Sequence, residues 1–411
     1  MKFVKKLLVL LILAQLILLN VWQVKAQAQA PVELENVVAL VSFGEQITFV
    51  ATVKSPLPIQ EASILILDES QGTTRVEPLT VQSDGRTEFQ YDARQNNLRP
   101  FGSISWSYRF TLPDGSTTNS EVYSARYEDN RFNWQSLEAG MIRVHWYGEG
   151  EDFGQALLNT AQAGMESVSR LIPASLDQPV DFYVYASLSD LRGTLVPGSQ
   201  DWIAGHADSS HGIAMVAIEP GPAQESTMQQ RIPHELMHIL LYRALGNGYA
   251  NIPAWLSEGM AGLAEMIPNT AYDSALKSAV LRSDWIPMRT LCGSFPGDTD
   301  RAFLAYAESR SFAGYIDETY GTSGLFKLAT AYANGAGCED GPEIALGIPL
   351  ASLEQTWQSE VAGQKTLPPA LQNITPYLVL LCLMLLVPII GMAGAMPKKG
   401  SRNEPETKFR K

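Results

Sequence analysis

Two of the five histidines in this chain of 411 residues stand four apart, in Pro233-His234-Glu235-Leu236-Met237-His238. In an α-helix, four residues turn the chain through ~400°, so both imidazoles leave the same face. A helix over this stretch therefore sets the two rings to grip one metal ion. Glu235, one position round, can then reach a water bound to that ion. Zinc suits such ligands and lowers the pKa of bound water from roughly 15.7 towards ~7. A carboxylate beside it can take the water's proton during attack on a carbonyl and pass it to the leaving amine. Chance yields about 0.004 such matches per chain of this composition. The weaker alternative is an amphipathic helix that happens to carry two histidines on its polar side.

The surroundings of the motif are unevenly charged. The net charge is −13, which argues against a nucleic-acid binder with its basic face. Residues 1–28 nevertheless carry Lys2, Lys5, Lys6 and Lys25 and no acid, and 397–411 carry six basic residues against Glu404 and Glu406. Both ends point to a membrane. Lys5-Lys6 precede an apolar run from Leu7 to Leu19, and Ala26-Gln27-Ala28 and Ala28-Gln29-Ala30 follow, the parts of a secretory signal peptide. An uncleaved signal anchor is the other reading. Tyr377 to Met396 is a second apolar stretch, free of charge, with Lys398-Lys399 behind it. Its twenty residues match the ~30 Å of a hydrocarbon core, and the lysines favour a cytoplasmic tail. The alternative is a buried helix of a soluble core. The expected localisation is a single-pass cell-membrane protein with its N-terminal ectodomain outside. Cys382 falls in the span, leaving Cys292 and Cys338 as a pair in an oxidising compartment. A disulfide between them is one reading and two separate thiols the other.

Between the ends, hydrophobic periodicity changes once. Over 31–128, runs such as Gln46–Val53, Ala62–Leu67 and Ser103–Leu112 alternate or are β-branched, with turns at Ser83-Asp84-Gly85 and Pro113-Asp114-Gly115. About seven short strands in ~100 residues predict an immunoglobulin-like sandwich, here without intersheet cysteines. Beyond residue 129 come strands at Met141–Tyr147 and Val180–Tyr185, a helix from Phe153 to Leu171, and a short strand at Gly212–Ile218. From Glu225 to about Val361 the pattern is helical, so this part is α+β.

Downstream of the motif lies Ile252 to Glu265, containing Trp255-Leu256-Ser257-Glu258-Gly259-Met260-Ala261. A glutamate in this setting, twenty positions after the second histidine, resembles the gluzincins, the thermolysin-like zinc metallopeptidases, and most of all their bacterial peptidase MA-like branch. The resemblance extends over roughly 135–362, including Phe303 to Phe312, Tyr320-Gly321 and Leu353 to Trp357. It implies one zinc ion held by His234, His238 and Glu258, with Glu235 as the catalytic general base and a peptide or protein as substrate. It also implies that the strand before the metal helix pairs with extended substrate. Tyr306 and Arg310 are the candidate oxyanion donors. Glu265 either supports a ligand or is solvated. His145 reads as structural, and His206 and His211 as loop residues.

Three features depart from studied relatives. The Gly-x-Met-Glu-Asn signature of the aminopeptidase branch is absent, Gly212–Ile218 standing there instead, which favours endopeptidase action. Gly262 replaces an aspartate four residues past the third ligand, so support for a histidine must come from elsewhere. Pro233 lacks an amide donor, which suits a first helical turn and otherwise implies a kink.

The expected architecture is thus α+β: signal peptide 1–28, immunoglobulin-like β-sandwich 31–128, gluzincin-type metallopeptidase domain 129–366, linker 367–376, transmembrane helix 377–396 and basic tail 397–411. The expected function is that of a membrane-anchored extracytoplasmic zinc metallopeptidase, a hydrolase of peptide bonds. The alternative is a non-catalytic receptor or adhesion protein that uses the same fold as a binding scaffold.

Overall fold

The computed structural model describes residues 32–68, 72–96, 98–195 and 204–363, together with Tyr377. The expected signal peptide, linker, transmembrane helix (Tyr377 apart) and tail lie outside these residues. Among the described residues no helix is long and apolar enough to cross a membrane. The chain divides into two compact units, one of Met1–Leu158 with Val180–Gln224, the other of Asn159–Pro179 with Glu225–Lys411.

The first unit begins with two antiparallel sheets. One has the order β1 (Glu33–Ser42), β2 (Gln46–Lys54), β5 (Arg86–Asp92). The other has the order β4 (Thr73–Leu79), β3 (Glu61–Asp68), β6 (Ser103–Thr111), β7 (Thr117–Asn119), with β8 (Tyr123–Arg126) also on β6. A single helical turn, α1 (Ala93–Asn96), follows β5. Strict alternation does the work here, because successive strand side chains point to opposite faces. In β2, Ile47, Phe49, Ala51 and Val53 are buried; in β6, Ile104, Trp106, Tyr108 and Phe110 are buried. Both sets belong to one hydrophobic cluster, with the Phe49 and Trp106 rings 4.9 Å apart.

The same unit holds a mixed five-stranded sheet, ordered β12 (Gly205–Asp208), β13 (Ile213–Ala217), β11 (Val180–Tyr185), β10 (Ile142–Trp146), β9 (Gln135–Ala139). β10, β11 and β13 run parallel, and both outer strands are antiparallel to their neighbours. Every residue of β11 and β13 is buried, as expected for parallel strands covered on both faces. Asp181 on β11 is tolerated there because Arg143 donates to it at 2.6 Å and His145 Nε2 lies 2.8 Å away. His145 is structural, as its sequence context suggests. The long helix α2 (Glu151–Leu171) and the short α3 (Leu188–Arg192) connect these strands. At the joint between the sheets, fully buried Asp129 accepts from Arg131, Tyr185 and Thr194. Phe101 stacks on Tyr183 with ring centroids 3.5 Å apart.

The second unit is helical: the end of α2, then α4 (Gln224–Leu245), α5 (Ala254–Ala264), α6 (Thr270–Arg282), α7 (Thr299–Ala333), α8 (Gly341–Leu346) and α9 (Leu350–Val361). α7 bends at Gly321, whose φ of 74° no helix accommodates. Cys292 and Cys338 form a disulfide with Cα atoms 6.0 Å apart.

Candidate metal centre

The motif sits in the middle of α4, whose apolar residues Met228, Ile232, Leu236, Met237, Ile239, Leu240 and Leu241 are all buried. His234 and His238 leave the same face, with ring centroids 5.2 Å apart. Pro233 is far inside this helix rather than in its first turn. A proline there cannot donate to the carbonyl four residues earlier. That carbonyl, Gln229 O, instead accepts the Met266 N–H at 2.9 Å. The missing donor is thereby replaced from another segment, just past the end of α5.

α5 brings Glu258 to the histidines. It crosses α7 closely because Gly259 and Gly262, three apart, share the facing side. A Cβ at Gly259 would meet Ser309 O and come within 2.8 Å of Ala313 Cβ, and one at Gly262 would sit 3.1 Å from the Arg310 side chain. Trp255, Leu256, Met260 and Ala261 fill the core around the crossing. The terminal carbonyl Ala264 O accepts from buried Ser167 at 2.7 Å. Held in this way, Glu258 Oε2 lies 3.2 Å from His234 Nε2 and 3.6 Å from His238 Nε2. One ligand atom from each of the three residues falls within 4.8 Å of the others.

The remaining ring nitrogens also have partners. His234 Nδ1 is 3.2 Å from Glu265 Oε1, a side chain only 5% exposed. His238 Nδ1 is 3.1 Å from the Tyr249 hydroxyl and 3.2 Å from Ser257 Oγ. Each Nδ1 is engaged, so each Nε2 is turned to the common point beside Glu258, the arrangement that orients metal-binding imidazoles. The support missing at Gly262 is supplied by Glu265. Position 262 is filled by the stem of Arg310, while α5 ends at Ala264 and lets the next residue turn back to His234. Tyr249 and Ser257 carry no signal in the sequence: a tyrosine in a short helical connection and a serine inside an apolar helix have many other uses.

Electrostatics agree with a cation here. Burial disfavours the His234 imidazolium, yet hydrogen bonds to Glu258 and Glu265 and the charge of Glu235 push its pKa up to about 10. Burial opposes ionisation of Glu258 as well, but the two histidines hold its carboxyl well below the usual carboxylate range. The site favours positive charge. Two imidazole nitrogens and one carboxylate oxygen fit a borderline divalent ion, and a three-ligand set leaves a coordination position open.

Glu235 is buried on α4 beside these groups. Tyr306 on α7 has its ring centroid 6.4 Å from that of His234. Burial, together with the Glu258 and Glu235 charges, lifts its phenol above the ordinary tyrosine range, so it stays protonated as a donor. Arg310, the other candidate donor, gives its Nε to Gly262 O at 3.0 Å. His206 lies on β12, and His211 Nδ1 contacts Asp208 at 3.1 Å, both within the first unit.

Residues 160–363 match the family model of the peptidase MA superfamily. Over that segment the chain is similar to the peptidase MA superfamily, which supports a gluzincin-like peptidase family. The matched residues include all three members of the metal cluster and both carboxylates beside it. No curated protein matches the chain. Among solved structures, the inactive form of OgpA from Akkermansia muciniphila, bound to an O-glycopeptide, is 18% identical over 25% of this chain and 30% of its own, with a TM-score of 0.19. This chain thus spans under a third of that protein. An M1 zinc metallopeptidase from Deinococcus radiodurans, bound to a Tyr-Ser-Ala substrate, is 13% identical over 82% of this chain and 94% of its own, with a TM-score of 0.31. A polysaccharide deacetylase from Bacillus cereus is 8% identical over 58% and 79%, with a TM-score of 0.20. Likenesses this distant decide nothing about the chemistry of this chain.

Proposed function

We propose that this protein is a zinc-dependent metallopeptidase that hydrolyses internal peptide bonds. The observation that carries the reading is the meeting of His234 Nε2, His238 Nε2 and Glu258 Oε2, with Glu235 on the same helix as the histidines. His234, His238 and Glu258 would hold one zinc ion, which would supply an electrophile for the carbonyl and lower the pKa of water at the site. The Glu235 carboxylate takes the proton of the attacking water and returns it to the leaving nitrogen. The Tyr306 hydroxyl donates to the oxygen that becomes negative. Glu265, Tyr249 and Ser257 keep the two rings from turning. The missing aminopeptidase signature favours endopeptidase action.

The reading extends to the rest of the chain. The orders β1-β2-β5 and β4-β3-β6-β7, with β8 also on β6, around one core support an immunoglobulin-like sandwich, a spacer or binding platform. The Cys292–Cys338 disulfide supports an oxidising, extracytoplasmic setting. The apolar stretch 377–396 and the lysines after it support a membrane anchor with a cytoplasmic tail.

The deciding experiment measures zinc content and cleavage of a peptide library by the purified full chain, with and without a chelator. One zinc per chain and chelator-sensitive cleavage are expected. Zinc without any cleavage would make the fold a binding scaffold, and a chain that takes up no zinc would end the hydrolase reading.

A further inference from the structure

Both partners of His238 Nδ1 come from one stretch of chain. Tyr249 lies in a short 3₁₀ stretch after α4, Gly246–Asn251, and Ser257 lies in the first turn of α5. Glu265, the partner of His234 Nδ1, stands at the opposite end of α5. Whatever fixes residues 246–257 therefore governs one imidazole and not the other.

Two neighbours hold this stretch. One is the end of α7. A Cβ at Gly248 would come within 2.9 Å of Ala333 Cβ, so the backbones approach closely there, and Asn251 Nδ2 reaches Ala333 O at 3.5 Å. The other is Cys292, just after a second 3₁₀ stretch, Met288–Leu291. Its carbonyl accepts from the N–H of Ala254, the first residue of α5, at 3.3 Å. Both of these hydrogen bonds are long and hold weakly by themselves. The disulfide joins the two neighbours covalently, across 46 positions of sequence. Cys338 follows α7, and its carbonyl accepts from the buried Tyr332 hydroxyl at 2.8 Å. Tyr332 in turn meets Trp255 of α5 edge-on, with ring centroids 6.4 Å apart.

We propose that the Cys292–Cys338 disulfide is a positioning clamp for His238, and that breaking it weakens metal binding through this one imidazole. The proposal rests on the metallopeptidase reading and adds redox control to its metal centre. Both cysteines are partly exposed. A dithiol reaching them delivers two electrons and two protons, leaves as its own disulfide and yields two protein thiols. Tyr249 and Ser257 then lose their fixed places, the His238 ring turns more freely, and zinc affinity falls.

The test uses the purified full chain and zinc itself, titrated against a competing chelator. Cys292→Ala with Cys338→Ala is expected to lower zinc affinity about tenfold. In a Tyr249→Phe, Ser257→Ala background the same change should add almost nothing, because the groups it acts through are gone. In a Glu265→Ala background it should again lower affinity about tenfold, since the two imidazoles are supported separately. Unchanged affinity, or equal losses in both backgrounds, overturns the clamp and leaves the metallopeptidase reading intact. A wild type with its disulfide intact that takes up no zinc would end both readings. In the zinc-free chain, amide hydrogen exchange should quicken at 246–257 on loss of the disulfide and stay unchanged at 264–266. Uniform quickening would mark the disulfide as a general support and overturn the proposal. Should the cysteine variant fail to fold, chains reduced with a phosphine and capped with iodoacetamide replace it, against unreduced capped chain. Unfolding of those chains too would count against the clamp.

Discussion

Met266 N–H donates to Gln229 O at 2.9 Å, occupying the acceptor that Pro233 cannot serve. This bond ties the end of α5 to the middle of α4, one residue after Glu265 and five before His234. A proline that is costly for a helix interior is here part of how a supporting carboxylate reaches its histidine.

Pro233→Ala restores an N–H that competes for Gln229 O. Ala is the better helix former, so thermal stability is expected to hold or rise. Zinc affinity is expected to fall, towards about tenfold, as the Glu265 contact loosens. Chelator competition followed beside a melting curve checks both halves, and a parallel fall of affinity and stability would contradict the account.

Glu265→Ala removes the partner of His234 Nδ1 directly. A loss of about 10–100-fold in zinc affinity is expected, with the ring free to turn. The double variant Tyr249→Phe with Ser257→Ala should act likewise through His238. Metal titration of each protein against a competing chelator is the measurement.

Much of this arrangement was legible in the sequence, and the reasons differ by element. β11 coincides with the predicted Val180–Tyr185 because a fully buried parallel strand is a continuous apolar run. β9 (Gln135–Ala139) and β12 (Gly205–Asp208) went unread: both are short, polar outer strands whose pairing depends on neighbours rather than on their own pattern. His234, His238 and Glu258 were identified by spacing and resemblance, and the structure brings them together. Glu265 was left open, since a carboxylate one residue past a helix looks solvated until the helix end is known. Tyr249 and Ser257 could not be found, because their role lies only in where two side-chain oxygens meet one ring nitrogen.

Glu235→Gln keeps the shape of the side chain and removes its ability to accept a proton. Peptide cleavage is expected to fall by about 10²–10⁴-fold, while zinc content stays at the wild-type level, because Glu235 is not among the three clustered ligands. Residual activity near wild type would remove Glu235 from the mechanism.

Gly259→Ala tests the helix crossing that carries Glu258. The new methyl would meet Ser309 O and Ala313 Cβ, so α5 must move away from α7. Overpacking of this kind costs about 1–3 kcal/mol, read as a lower urea midpoint. Because α5 carries Glu258, weaker zinc binding should accompany the lost stability. Gly293→Ala, with nothing within 4 Å of the added carbon, serves as the control and should leave both unchanged.

Glu308 offers a prediction about pH. It is fully buried on α7, with both carboxyl oxygens near Ile286 N–H, at 3.3 and 3.1 Å. Burial pushes its pKa up to about 8 from an ordinary 4.5; the Ile286 N–H and Arg301 pull it down, and Glu354 and Asp284 add to the rise. The folded chain therefore keeps this proton between pH 4.5 and 8, whereas the unfolded chain has released it. Stability from this group is complete below about pH 4.5 and is lost as pH climbs towards 8. Glu308→Gln, neutral at every pH and still able to accept from Ile286 N–H, escapes that loss. Urea denaturation at pH 5 and pH 8 should find the variant gaining roughly 2–4 kcal/mol on the wild type between the two. Parallel curves would mean that the carboxyl ionises normally inside the fold.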